Sequence, residues 1–249
     1  MYIYFYLLVF IITLNAKEIK TINIASIDWC PQLCPNESKN GYVIDILNEI
    51  FKNSKYKLII KTYPWSRAIA MTKSAEVIAL LSPAKTEAPT LTYPKNKIGK
   101  QTMCFFVKSN STWIYKDISS LKNKSIGIAK DTSIEELNKY IHTNPKQFQY
   151  LPYSKTYIIQ SLKKLDRNRF DTFLFTKNST LYTINSLGLQ NKYKIAGCVS
   201  SSDIYIAFTS DVKFKNDIKQ LIAFFDINMQ KLKKTKKIDS IMMNYGLEK

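Results

Sequence analysis

The 249-residue chain carries 37 Lys and Arg against 19 Asp and Glu, a net charge of +18, with 45% hydrophobic and 13% aromatic residues. That length admits one large domain or two small ones, and the apolar content excludes a disordered chain. No internal period is present, which excludes a repeat protein, and no long Pro/Gly/Ser linker marks a boundary. A basic balance can attract nucleic acid, anionic membrane or acidic ligands. Here the basic residues are spread along the chain, and the densest run, Lys231-Leu232-Lys233-Lys234-Thr235-Lys236-Lys237, lies inside a helical pattern and reads as a solvated face.

Residues 1–16 (MYIYFYLLVFIITLNA) are apolar up to Thr13 and hold no charged side chain. The run has the length of a signal-peptide core and is short for a membrane span. Ala16 offers a small residue ahead of Lys17-Glu18, so export with cleavage after Ala16 is expected; retention as an anchor is the alternative. No cysteine adjoins that site, which argues against a lipoprotein. Four cysteines suit an oxidising compartment. Cys30 and Cys34 are close enough for a local loop, leaving Cys104 and Cys198, but three connectivities are open to sequence alone. Their spacing fits neither a zinc ribbon nor a CxxC redox site, and the single histidine, His142, is distant. No metal or cofactor is expected.

Residues 21–27 (TINIASI) alternate as a strand does. A loop with Asp28, Trp29 and the first two cysteines follows. Val43, Leu47, Ile50 and Phe51 then recur at helical spacing behind Asn40-Gly41. Residues 57–62 (KLIIKT) read as a strand, Ser66 as the cap of a short helix, and residues 77–81 as a buried strand ending at Ser82-Pro83. This βαβαβ order predicts a parallel α/β unit. Residues 101–108 (QTMCFFVK) open a second series: a strand at 125–129, a helix begun by a Ser133/Glu136 capping box, a helix capped by Ser154, a strand at 172–175 and another at 203–209. A long helix carries Phe214, Ile218, Leu221, Phe225 and Met229 on one face, and a short helix with Ile238, Ile241 and Met242 ends the chain.

Several segments in this order resemble the family 3 extracellular solute-binding proteins. Residues 41–50 (GYVIDILNEI) are similar to that family's "GfdvDlmneI" helix start. Residues 64–68 (PWSRA) look like a signature of one large subgroup. Residues 119–128 (SSLKNKSIGI) are similar to "dLkgkkvgv", 171–175 (DTFLF) to "Davl", and 203–208 (DIYIAF) to the returning hinge strand "lyiaf". The matches run from about Thr21 to Gly246. The resemblance implies the type 2 periplasmic-binding fold: two lobes, each a mostly parallel sheet flanked by helices, joined by two hinge strands. Lobe one would comprise residues 17–103 plus 203–249, and lobe two residues 104–202. Cys104 and Cys198 would then carry or adjoin the hinge strands and form a disulfide there.

Ligands of open α/β sheets sit at strand carboxyl ends and helix amino termini. That selects Trp29, Trp65 with Arg67, and Ser82 after the first three strands, and Asp131-Thr132-Ser133 in lobe two; the family resemblance adds Thr176, at the end of the "Davl"-like strand. Trp29 and Trp65 could sandwich a ring, Arg67 could pair with a carboxylate or phosphate, and the amides of Thr132 and Ser133 could hold an anion. Each has a plain alternative: Trp65 as packing, Arg67 as an exposed helical arginine, Ser82 as a strand end, Ser133 as a cap. In the resembling family, amino-acid binders place an arginine where Ala88 stands and an aspartate where Thr176 stands. Both anchors of a zwitterion are missing, which disfavours α-amino acids.

The resemblance implies an exported, periplasmic, monomeric protein that closes on a small polar or anionic solute and hands it to an inner-membrane ABC permease. A sensor that presents the closed form to a receptor is the alternative. An enzyme of the dehydratase kind on this fold would need an acid in the cleft, for which Asp131 is the candidate; no nucleophile–base arrangement is evident. Nucleic acid is not an expected partner of an exported chain.

Overall fold

In the computed structural model the described residues are 20–35, 38–130 and 134–247. The expected signal segment, residues 1–16, lies outside them, as do Asp131, Thr132 and Ser133 and with them the Ser133 half of the expected capping box.

Strand β1 (Lys20–Ser26) pairs in parallel with β2 (Tyr56–Thr62) and β3 (Ala79–Leu81), and β3 pairs antiparallel with β9 (Ile206–Phe208), giving the order β2-β1-β3-β9. Helices α1 (Tyr42–Phe51) and α2 (Trp65–Lys73) make the crossovers, and α6 (Lys215–Lys234) and α7 (Lys237–Met243) close the chain. Period-2 alternation sends strand side chains to opposite faces. Ile22 and Ile24 of β1, Ala79 and Leu81 of β3, and Ile206 and Phe208 of β9 join α1, α6 and α7 in one core. Ala25, Leu80 and Ala207 point the other way, into a smaller core with Ala68, Val77 and Ala88.

The second sheet has the order β6-β5-β7-β4-β8, from β4 (Gly99–Lys108), β5 (Ile126–Ala129), β6 (Phe148–Leu151), β7 (Thr172–Thr176) and β8 (Tyr193–Ile204). It is covered by α3 (Glu135–Thr143), α4 (Tyr157–Asp166) and α5 (Lys177–Ser186). Strands β5, β6 and β7 are parallel, whereas β4 runs antiparallel to both β7 and β8. Strands β5, β6, β7 and β8 thus run in one direction and β4 alone opposes them, the mostly parallel arrangement expected. Cys104, Phe106, Phe173 and Phe175 face α4 and α5, while Met103, Phe105 and Leu174 face the opposite core with α3.

The chain passes between the sheets twice. Residues 82–98 lead from β3 to β4, and Tyr205 alone separates β8 from β9. The stretch at 203–209 is thus not one strand: Tyr205 breaks it, donating its N–H to the Pro83 carbonyl and accepting from the Ser82 N–H at 2.8 Å. Cys104 lies directly opposite Cys198 on the β4–β8 ladder, and both disulfides are formed, Cys104–Cys198 and Cys30–Cys34.

Two expected caps are replaced. Ser66 lies inside α2, whose N-cap is Pro64, and Ser154 precedes α4, whose N-cap is Thr156; neither helix has a side-chain cap. Ser154 acts through its carbonyl instead, accepting from Tyr157 N. Helix α1 solves the same problem with a distant loop: the carbonyls of Pro31 and Gln32 accept from Tyr42 N and Val43 N, satisfying two of the amides a helix start leaves unpaired. That approach requires glycine at 41. Its φ is 100° and ψ 144°, and a Cβ there would lie 2.4 Å from the Gln32 carbonyl oxygen. Gly41→Ala is therefore expected to lower the unfolding free energy by about 1–3 kcal/mol, read as a lower urea midpoint at unchanged slope.

Candidate functional site

The carboxyl ends of both parallel strand sets face one another across a crevice. From the first sheet comes the loop after β1, pinned as a tight turn in which Trp29 and Leu33 exchange both backbone hydrogen bonds and Cys30–Cys34 closes the ring. From the second come the segment after β6 and the start of α5. Three polar contacts bridge them. Trp29 Nε1 donates to Thr176 Oγ1 at 3.4 Å, Tyr153 OH donates to the Asp28 carbonyl at 2.8 Å, and Lys155 Nζ lies 3.1 Å from the Asp28 carboxylate. Burial raises the Tyr153 phenol above its ordinary pKa, and the nearby Asp28 charge adds to the shift. Between these segments lies a cavity of about 260 Å³, lined by Asp28 and Cys30 on one side and by residues of α4 and α5 on the other.

The expected residues separate into groups. Trp29, only 7% exposed, and Thr176 are brought together and partner each other. Trp65 is half-buried against the Ala68–Leu80 core, while Trp29 packs in the α1–α6 core, so the two rings belong to different clusters. Arg67 is exposed, with its guanidinium 5.7 Å from the Tyr63 ring and no ion pair among the described residues. Ser82 is 2% exposed in the left-handed region at φ 65°, and its Oγ has no partner among the described residues. A strained, buried and unpaired hydroxyl at a strand end is a feature a ligand can satisfy. Ala88 is fully buried beneath Tyr93, whose OH donates to the Ala88 carbonyl at 2.9 Å. Ala88 packs in the core with Ala68, Val77 and Leu80.

Sequence reasoning missed Lys155, Tyr153 and the α5 residues Ser179, Tyr182 and Thr183. Helix α5 has weak apolar periodicity and was not read as a helix. Asp28 lies in the loop after β1, and nothing local in the sequence announces its partner Lys155. Among the described residues no helix is long and apolar enough to cross a membrane, and no group of three or more His, Cys, Asp or Glu could hold a metal ion.

No protein-family model matches the chain, and no curated protein matches it. Solved structures do. One, from work on glutathione import via GshT and the cystine ABC importer TcyBC of Streptococcus mutans, superposes with a TM-score of 0.72 over 91% of this chain and 95% of its own, at 20% identity. The chain has the type 2 periplasmic-binding fold. The probable amino-acid ABC transporter extracellular-binding protein ytmK of Bacillus subtilis gives 0.69 over 91% and 97%, at 18% identity. A histidine kinase sensor domain with similarity to periplasmic binding proteins gives 0.69 over 92% and 97%, at 16% identity. At such identities the likeness establishes the fold of this periplasmic-binding-type chain and nothing about its ligand.

Tyr93 seals the segment that connects the two sheets. Burial first, and the Glu87 carboxylate second, push its pKa up to about 12. The folded chain thus favours the neutral phenol. That stabilisation is complete below the unfolded value near 10 and is lost as pH rises toward about 12. Unfolding free energy should fall across this window, and Tyr93→Phe should flatten part of the decline in urea midpoints measured from pH 9 to pH 12.

Proposed function

We propose that this protein is an exported solute-binding protein that captures a small polar or anionic solute by closing two lobes, without chemistry on it, and delivers it to an inner-membrane ABC importer. The observation that carries the reading is the crevice: the strand carboxyl ends of two sheets, joined only through residues 82–98 and Tyr205, meet face to face through Asp28, Trp29, Tyr153, Lys155 and Thr176. Two thin connections beside an extended crevice are what hinge closure requires. Two structural neighbours, one tied to import through GshT and TcyBC and the other the probable amino-acid ABC transporter extracellular-binding protein ytmK, support the importer partner.

In this reading the lobes are residues 17–103 with 203–249 and residues 104–202, the chain acts as a monomer in the periplasm, and residues 1–16 are removed after Ala16. Residues 64–68 assign it to the PWSRA-bearing subgroup of the family. Arg67 and Ser82 contribute from lobe one, and Asp131, Thr132, Ser133 and Thr176 from lobe two. The sensor kinase domain that shares the fold supports a second reading, in which the closed form is presented to a receptor; the solute-capture step is the same in both.

Native mass spectrometry of protein purified without unfolding is expected to reveal a retained small molecule. Its return to stripped protein should raise Tm and reduce the radius of gyration in solution scattering. A retained anion should bind Arg67→Ala roughly tenfold or more weakly than the parent; equal affinity would remove the arginine clamp. A solute consumed during incubation would overturn binding without chemistry.

A further inference from the structure

The cavity on the α4–α5 side of the crevice has a polarity that specifies its occupant. Its hydroxyls are largely committed as donors. Thr183 Oγ1 donates to the Ser179 carbonyl, and Ser186 Oγ to the Thr183 carbonyl, both at 2.9 Å. Tyr153 has spent its proton on the Asp28 carbonyl. A hydroxyl has one proton and two lone pairs, so these groups face the cavity as acceptors. Ser154 Oγ shares a hydrogen bond with Thr156 Oγ1 in which either can donate, and Ser179, 1% exposed and lining the cavity, has no partner for its Oγ among the described residues.

The charges cancel. Asp28 and Lys155 line the cavity and are paired with each other, and no other lining residue is ionised at neutral pH. An acceptor-rich wall whose one cation is already paired disfavours carboxylates and phosphates, whose negative charge finds no free partner there. The apolar wall combines rings, Phe175 and Tyr153 with centroids 5.8 Å apart and the half-buried Tyr182, with Ile158 and Ile159. A volume of about 260 Å³ lies just below the usual range for drug-sized ligands and suits a single small ring.

We propose that this cavity binds a neutral, hydroxylated ring of monosaccharide size, whose hydroxyl groups donate to Thr183 and Ser186, whose ring oxygen or hydroxyl accepts from Ser179, and whose C–H face lies against the aromatic wall. The inference rests on the capture reading and narrows it, since it selects a neutral polyol over an anion at this side of the crevice.

Isothermal calorimetry with D-glucose, D-galactose, D-mannose, D-xylose and myo-inositol tests it, with L-glutamate, L-arginine and inorganic phosphate as ionic comparators. At least one polyol should bind with a Kd tighter than about 1 mM, and the ionic probes should not compete for it. Thr183→Val, which keeps shape and removes the acceptor, and Ser179→Ala should each weaken that polyol roughly three- to tenfold. Tyr182→Ala should weaken it further, with far-UV circular dichroism reporting that each variant is folded. No polyol binding, or polyol binding indifferent to all three substitutions, overturns the proposal. Solution scattering separates the two layers. An ionic probe that compacts the protein while no polyol binds leaves capture standing and removes the polyol. A polyol that binds without compaction leaves the site standing and removes closure.

Discussion

Strands β4 and β8 pair antiparallel from Gly99–Ile204 at one end to Lys108–Tyr193 at the other, with Cys104–Cys198 covalently closing the ladder midway. Both segments that pass between the sheets feed this ladder. Ile98 N donates to the Ile204 carbonyl just before it begins, and Tyr205 follows immediately after. The relative placement of the two sheets therefore depends on one two-stranded ribbon and its short extension. Everything that makes the crevice, including which loops can face each other across it, is set by where that ribbon leaves one sheet and enters the other.

The crevice contacts are individually small. The Lys155–Asp28 pair is partly exposed, the class of ion pair worth about 0–1 kcal/mol, and the Trp29–Thr176 hydrogen bond is long at 3.4 Å. Under the proposed capture of a solute, weak bridging contacts matter because a solute contributing a few hydrogen bonds can tip the balance between open and closed forms. The rigid part of the site is the loop after β1. Its disulfide, its paired backbone at Trp29 and Leu33, and the docking of its carbonyls on the start of α1 hold Asp28 and Trp29 in place.

The missing amino-acid anchors acquire a physical meaning in three dimensions. Ala88 is sealed under Tyr93, and Thr176 is engaged with the Trp29 indole. Ala88 is a packed position, and Thr176 Oγ1 already accepts one long hydrogen bond across the crevice. Ser82 at the end of β3 and Ser179 in the cavity wall are among the buried hydroxyls with no partner among the described residues.

Local pattern was enough for most of the framework. Alternation in residues 21–27, the short apolar run at 172–175, helical spacing from Val43 to Phe51 and from Ile218 to Met229, and the order of these segments defined the α/β class, because these burial patterns are written in contiguous residues. Sequence also brought Cys30 and Cys34 together, since four positions of chain cannot separate them far. It could not break the 203–209 stretch at Tyr205, because that break reflects a change of sheet and not of local propensity. Nor could it find α5, whose polar face looks outward-facing in sequence yet lines a cavity. The pairing of Asp28 with Lys155 and Tyr153, and of Trp29 with Thr176, joins segments more than 120 residues apart, and only the closing of two sheets onto one ribbon determines which of those side chains meet.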